Sequence, residues 1–134
     1  MAKLNVDIVT PEKRVLSVQA DEVVAPGHPG LFGVRPGHTP MLTLMDDGLL
    51  TLKDEGTAQV FHVEGGFVEV GGDTVRVLAN AAYPVSSIDV DVAQRQLDEA
   101  VARLKGLSEA DARFALEAAI VRREAARIAS ATRR

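Results

Sequence analysis

A chain of 134 residues can bury a real apolar core without staples and is too short for two full domains. Its content of 46% apolar and 25% charged residues excludes wholesale disorder and fibrous repeats. The formal charge of −4 argues against nucleic acid as principal partner, since phosphate binding wants a basic surface, and the absence of cysteine removes any disulfide framework, thiolate metal site or thiol nucleophile.

The first part of the chain has the period of strands. Leu4, Val6 and Ile8 share one face against Asn5 and Asp7, the alternation expected of a half-buried strand. Further short, β-branched runs follow at Val15 to Val18, Glu22 to Ala25, Leu49 to Lys53, Thr57 to Val63, Phe67 to Val70 and Thr74 to Ala79. Turn residues separate them at Pro26-Gly27, Pro36-Gly37, Asp47-Gly48, Gly65-Gly66 and Gly71-Gly72-Asp73, the pattern of a sandwich or barrel.

After Pro84 the only glycine is Gly106, while alanine and arginine rise, so the preferred local geometry becomes helical. The boundary is expected at residues 81–88. Asp89 is a candidate N-cap, followed by a stripe of Ala93, Leu97, Ala100, Val101 and Leu104. Asp91 with Arg95 and Glu99 with Arg103 are acid-first pairs on the solvent side. Gly106 is expected to stop this helix in a left-handed conformation. Ser108 is expected to cap a second helix, with Asp111 three residues on and Leu107 as staple. The stripe of that helix is Phe114, Ala118, Val121, Ala125 and Ile128, and the short connection predicts an antiparallel hairpin.

The expected fold class is therefore α+β, an N-terminal antiparallel β-sandwich over 1–84 followed by a C-terminal antiparallel two-helix hairpin over 88–134. A lone hairpin rich in alanine buries little apolar surface against the entropy of ordering it, so it must lean on its own β domain or on another protein.

Catalytic chemistry is sparse. His28, His38 and His62 lie in no metal-ligand spacing, and neither a metal nor a catalytic residue is expected. Motifs for a serine hydrolase, a phosphate-binding loop or a dinucleotide site are absent from the sequence. Two features ask for more than a structural role. The stretch Pro26 to Pro40 carries more glycine, proline and histidine than turning requires, which suits a rigid docking surface at one end of a β scaffold. Arg122, Arg123 and Arg127 gather on the second helix, with Arg123 and Arg127 an unfavourable like-charge i,i+4 pair that Glu124 and Glu117 relieve only in part. Such a cluster fits an acidic protein surface or a nucleotide phosphate.

Taken in order, Val9-Thr10-Pro11-Glu12-Lys13, Pro26-Gly27, Gly30-Leu31-Phe32-Gly33-Val34-Arg35-Pro36-Gly37-His38-Thr39-Pro40, Gly65-Gly66-Phe67-Val68-Glu69-Val70 and Val75-Arg76-Val77-Leu78-Ala79 resemble the epsilon subunit of F-type ATP synthases. The resemblance spans almost the whole chain. It implies a non-catalytic rotor subunit of the central stalk, peripheral to the cytoplasmic face of a bacterial inner membrane. The sandwich would bind the gamma subunit and the c-ring and couple rotation to proton-driven ATP synthesis. It implies a docking loop at Leu31, Phe32, Arg35, Pro36, Gly37 and His38. It further implies a hairpin that restrains ATP hydrolysis through the alpha and beta catalytic subunits, with Arg122, Arg123 and Arg127 as the contact.

Some relatives bind ATP on the hairpin through an [IL]-D-x-x-R-A motif. Here the stretch reads Ile88-Asp89-Val90-Asp91-Val92-Ala93, with Val92 in place of the arginine. The residues that would form a nucleotide site are Ile88, Asp89, Ala93 and Arg122; no cofactor is expected, and ATP would act there as a regulatory ligand. The alternative function is a free-standing β-sandwich module that binds protein.

Overall fold

The computed structural model describes residues 2–132; Met1, Arg133 and Arg134, included in the expected domains, lie outside the described residues. Two compact units divide the chain, Met1–Val85 and Ser86–Arg134.

The first unit is a sandwich of two five-stranded sheets. Its strands are β1 (Leu4–Val9), β2 (Arg14–Ala20), β3 (Glu22–Gly27), β4 (Gly30–Val34), β5 (Met41–Leu44), β6 (Gly48–Asp54), β7 (Thr57–Glu64), β8 (Phe67–Gly71), β9 (Thr74–Leu78) and β10 (Ala81–Pro84). One sheet runs β2-β1-β9-β8-β5 and the other β10-β7-β6-β3-β4. Every pairing is antiparallel except β1 with β9, which is parallel with Val6 opposite Val75 and Ile8 opposite Val77. Sequence alternation had no means of signalling this parallel pair, because period two is the same in either direction.

The alternation closes the core. Leu4, Val6, Ile8, Val23, Val34, Leu50, Val63, Val68, Val75 and Val77 are buried between the sheets. Each contributes about 1.5–3 kcal/mol relative to exposure. The stretch 81–84, expected as the beginning of the linker, is β10, which pairs with β7 with Tyr83 opposite His62. The glycines and prolines of 26–40 fall at the end of β3, along β4 and in the connection that follows it, rather than in one long loop.

The second unit is a helical hairpin, α1 (Val90–Lys105) packed on α2 (Ala112–Thr132). Asp89 caps α1 from an extended conformation, its Oδ1 accepting the Val92 N–H at 3.1 Å. Ala93 and Ala100 are the buried residues of α1. Gly106 ends the helix at φ −87, not in the left-handed region, so the expected left-handed stop is corrected; its N–H reaches back to the Arg103 carbonyl. The cap of α2 is also corrected. Ser108 belongs to the connecting turn, where its carbonyl accepts the Asp111 N–H, and Asp111 caps the helix by accepting the Arg113 N–H at 2.8 Å. A capping side chain must stand immediately before the first helical residue, and the turn occupies the extra residues. On α2 the apolar stripe is at most half-buried and Ala125 is exposed, whereas Glu124 and Ser130 are buried.

Candidate functional surfaces

The sandwich has two chemically different ends. At one end the tip of the β3–β4 hairpin, His28-Pro29, is stitched to the other sheet: the His28 N–H donates to the Leu44 carbonyl and the Asp46 N–H to the Pro26 carbonyl, both at 2.8 Å. Here His28 Nδ1 lies 2.9 Å from Asp46 Oδ1. Close by, Gly66 adopts φ +103, and a Cβ there would stand 1.9 Å from the Leu78 carbonyl oxygen. Only glycine permits this approach.

That close approach lays an apolar row across the outward face of the first sheet. Leu44 pairs with Phe67, Phe67 with Leu78, and Leu78 with Val9. Leu42 is 66% exposed, Leu44 54%, Phe67 45% and Leu78 39%. A groove of about 350 Å³, lined by Val9, Thr10, Pro11, Gly66, Phe67 and Leu78 among others, continues the row. The next row inward is ionic, with Arg76 opposite both Asp7 and Glu69 and 3.6 Å from the latter. Sequence reasoning missed this surface. Its signal was available: in FVEV, TVRVL and MLTL an apolar residue occupies the face that a half-exposed strand normally gives to polar ones.

The opposite end is charged. Lys3 is bonded to Asp54 and lies 2.9 Å from Asp21 and 3.6 Å from Glu55. These partners, Asp54 first, hold its ammonium charged above the ordinary lysine range. Asp21 is held below the ordinary carboxylate range, chiefly by the Glu55 backbone N–H and then by Lys3. The Glu22 carboxylate lies 3.2 Å from Arg35 and 3.5 Å from Lys53, on the wall of an open groove of about 750 Å³.

The six residues expected as one docking loop are spread along β4 and the turn after it. Leu31, 74% exposed, sits at the apolar end opposite Pro26, and Phe32 packs partly on the core. Arg35, Pro36, Gly37 and His38 lie at the charged end, where the Gly37 N–H donates to Asp73 Oδ1 at 3.1 Å and His38 Nδ1 contacts the Thr39 carbonyl. Because β4 is an edge strand, its free side links the two ends.

On α2 the three arginines differ. Glu124 is fully buried, and Arg127 Nη1 donates to both its oxygens, at 2.9 and 2.8 Å. Arg123 Nε lies 3.6 Å from the same carboxylate. Glu117 is turned to Arg103 at 2.9 Å. Glu124 therefore sits between Arg123 and Arg127, which removes much of the like-charge repulsion expected from their spacing. Arg122 is exposed, and among the described residues its side chain has no hydrogen bond or ion pair. Of the residues expected to hold a nucleotide, Asp89 uses its carboxylate as the α1 cap, Ala93 is buried and Ile88 is half-buried. No grouping of three histidine, aspartate or glutamate side chains able to hold a metal occurs among the described residues. His62 is buried against Tyr83, with ring centroids 5.3 Å apart, and its Nε2 lies 3.3 Å from Glu64.

A β-sandwich carrying an appended helical hairpin is a fold shared with solved rotary assemblies. A chain of the Euglena gracilis mitochondrial ATP synthase assembly of OSCP, F1 and c-ring aligns over 96% of this chain and 76% of its own, with TM-score 0.75 and 20% identity. A chain of the Tetrahymena thermophila mitochondrial ATP synthase central stalk and c-ring aligns over 95% and 93%, with TM-score 0.64 and 18% identity. The family described as "ATP synthase, Delta/Epsilon chain, beta-sandwich domain" matches residues 3–85. Similar full-length chains include the ATP synthase epsilon chain of Myxococcus xanthus (strain DK1622), 64% identical over 98% of this chain and 96% of the relative. Another is that of Anaeromyxobacter dehalogenans (strain 2CP-1 / ATCC BAA-258), 48% identical over 97% and 98%. The chain belongs to the ATP synthase delta/epsilon family, as an epsilon-type subunit of the F-type enzyme.

Proposed function

We propose that this chain is a non-catalytic rotor subunit of the central stalk, which couples c-ring rotation to the catalytic head during proton-driven ATP synthesis and restrains ATP hydrolysis through its hairpin. The observation that carries this reading is the exposed row Leu42, Leu44, Phe67 and Leu78 on a rigid sandwich. An apolar surface of that kind on a subunit of a larger complex is one that a partner covers. The gamma subunit covers it in this reading, and the c-ring meets the β4 edge and turn from Leu31 to His38. The hairpin meets the alpha and beta subunits through the arginines of α2. No described helix is long and apolar enough to cross a membrane; attachment to the cytoplasmic face of a bacterial inner membrane runs through the complex. ATP on the hairpin has little support, since Val92 replaces the motif arginine and Asp89 is engaged as a cap.

The decisive experiment compares the purified complex carrying the full chain with one carrying a chain that ends after Ser87. Proton-driven ATP synthesis is expected to persist while hydrolysis speeds up. Unchanged hydrolysis removes the restraint from the hairpin, and loss of synthesis moves the coupling role into it. A free-standing protein-binding module, the second reading, would be recovered apart from the ATP synthase on purification.

A further inference from the structure

Within the proposed restraint on hydrolysis, and resting on that reading, the three arginines of α2 are not equivalent. We infer that Glu124 sequesters Arg123 and Arg127 from an acidic partner surface, so that Arg122 alone supplies the reading charge and Glu124 sets how strongly the hairpin inhibits.

The geometry separates them. Glu124 is fully buried, and both of its oxygens accept from Arg127 Nη1, at 2.9 and 2.8 Å. Its Oε2 also lies 3.6 Å from Arg123 Nε, an atom that is itself buried and has no hydrogen-bond partner. Drawing either arginine onto a foreign carboxylate would leave a buried negative charge less compensated, which is strongly unfavourable. These pairs join neighbours on one helix, one residue and three residues apart. They therefore travel with α2 however the hairpin moves.

Arg122 is bound by none of this. Its helical neighbours at i±3 and i±4 are Ala118, Ala119, Ala125 and Ala126, so no side chain at those positions can pair with it. It is exposed and without an ion pair among the described residues. A contact to an acidic segment at Arg122 breaks no existing bond, and the small flanking side chains leave a partner room to approach.

The test titrates a purified catalytic head lacking this subunit with full-length chain and reads the concentration that halves ATP hydrolysis. The expected result is that Arg122→Gln raises it about 5–10-fold, while Arg123→Gln and Arg127→Gln each change it less than about twofold. Glu124→Gln, which keeps the shape and one acceptor, lowers it about 3–5-fold by releasing the two arginines. That gain vanishes when Arg123→Gln and Arg127→Gln are added. The inference is overturned if either of those arginines matters as much as Arg122. It is also overturned if Glu124→Gln is neutral or weakens inhibition, or if its effect persists without Arg123 and Arg127. Circular dichroism of each chain separates release of charge from loss of helix: a Glu124→Gln chain that inhibits more strongly only because helix content has fallen also overturns the inference. If the triple Arg122→Gln, Arg123→Gln, Arg127→Gln chain inhibits like the parent, it is the arginine contact itself that fails, a different result from any of these.

Discussion

Gly66 is where a single atom decides a surface. With φ +103 and a would-be Cβ 1.9 Å from the Leu78 carbonyl oxygen and 2.9 Å from the Ala79 Cα, the backbone has nowhere to retreat. Gly66→Ala is expected to cost about 3 kcal/mol or more, read as a lower urea midpoint; a loss below about 1 kcal/mol would show that the strands part without strain. Asp111 shows a milder dependence. Hydrogen bonds from the Arg113 side chain first, and then from its backbone N–H, lower its pKa from 3.8 to about 2. A depressed carboxylate pKa stabilises the fold above the unfolded value and loses that contribution as pH falls through the folded one. Helicity of the full chain is therefore expected to weaken between about pH 4 and 2, and Asp111→Asn should flatten that acid limb. A variant with an unaltered limb would assign it to other carboxylates.

At the scale of elements, strands β8 and β9 carry two jobs on their two faces. Val68, Val70, Val75 and Val77 point into the core, while Phe67 and Leu78 point out. Substitutions should separate those jobs. Leu50→Ala, at a fully buried site on β6, is expected to destabilise by about 2–5 kcal/mol. Phe67→Ser should cost the isolated chain about 1 kcal/mol or less, because the ring is already half exposed. The same Phe67→Ser should weaken binding to the gamma subunit at least about tenfold. Equal losses of stability in the two variants would mean that Phe67 belongs to the core. The strands that sequence reading did not delimit, β4, β5 and β10, are short edge strands. β5 and β10 pair with strands well separated along the chain, so local propensity does not mark them, whereas β4 closes a tight hairpin with β3.

For the whole molecule, the buried sandwich core among the described residues runs from Leu4 to Ala79, with Ala82 packed against it. A chain ending after Ser87 is therefore expected to unfold cooperatively in urea with its β signature intact. A broad, non-cooperative transition would make the hairpin part of that core. The same division fits the proposed restraint, since loss of the hairpin is then expected to leave the sandwich folded.

Much of this is written in the sequence. Alternation at Leu4, Val6 and Ile8, the turn glycines, the loss of glycine after Pro84 and the cap at Asp89 are local signals. Side-chain period and backbone preference act within a few residues, so they define the sandwich-then-hairpin order on their own. Tertiary structure decided what lies far apart in sequence: the parallel β1–β9 pair, the apolar row assembled from β1, β5, β8 and β9, and the separation of Leu31 from His38 to opposite ends of β4. It also decided that Glu124, which the chain places among arginines without saying which way it points, is buried with Arg127 and Arg123 beside it. Burial is a property of all the chain that packs around a side chain, and no window of sequence contains it.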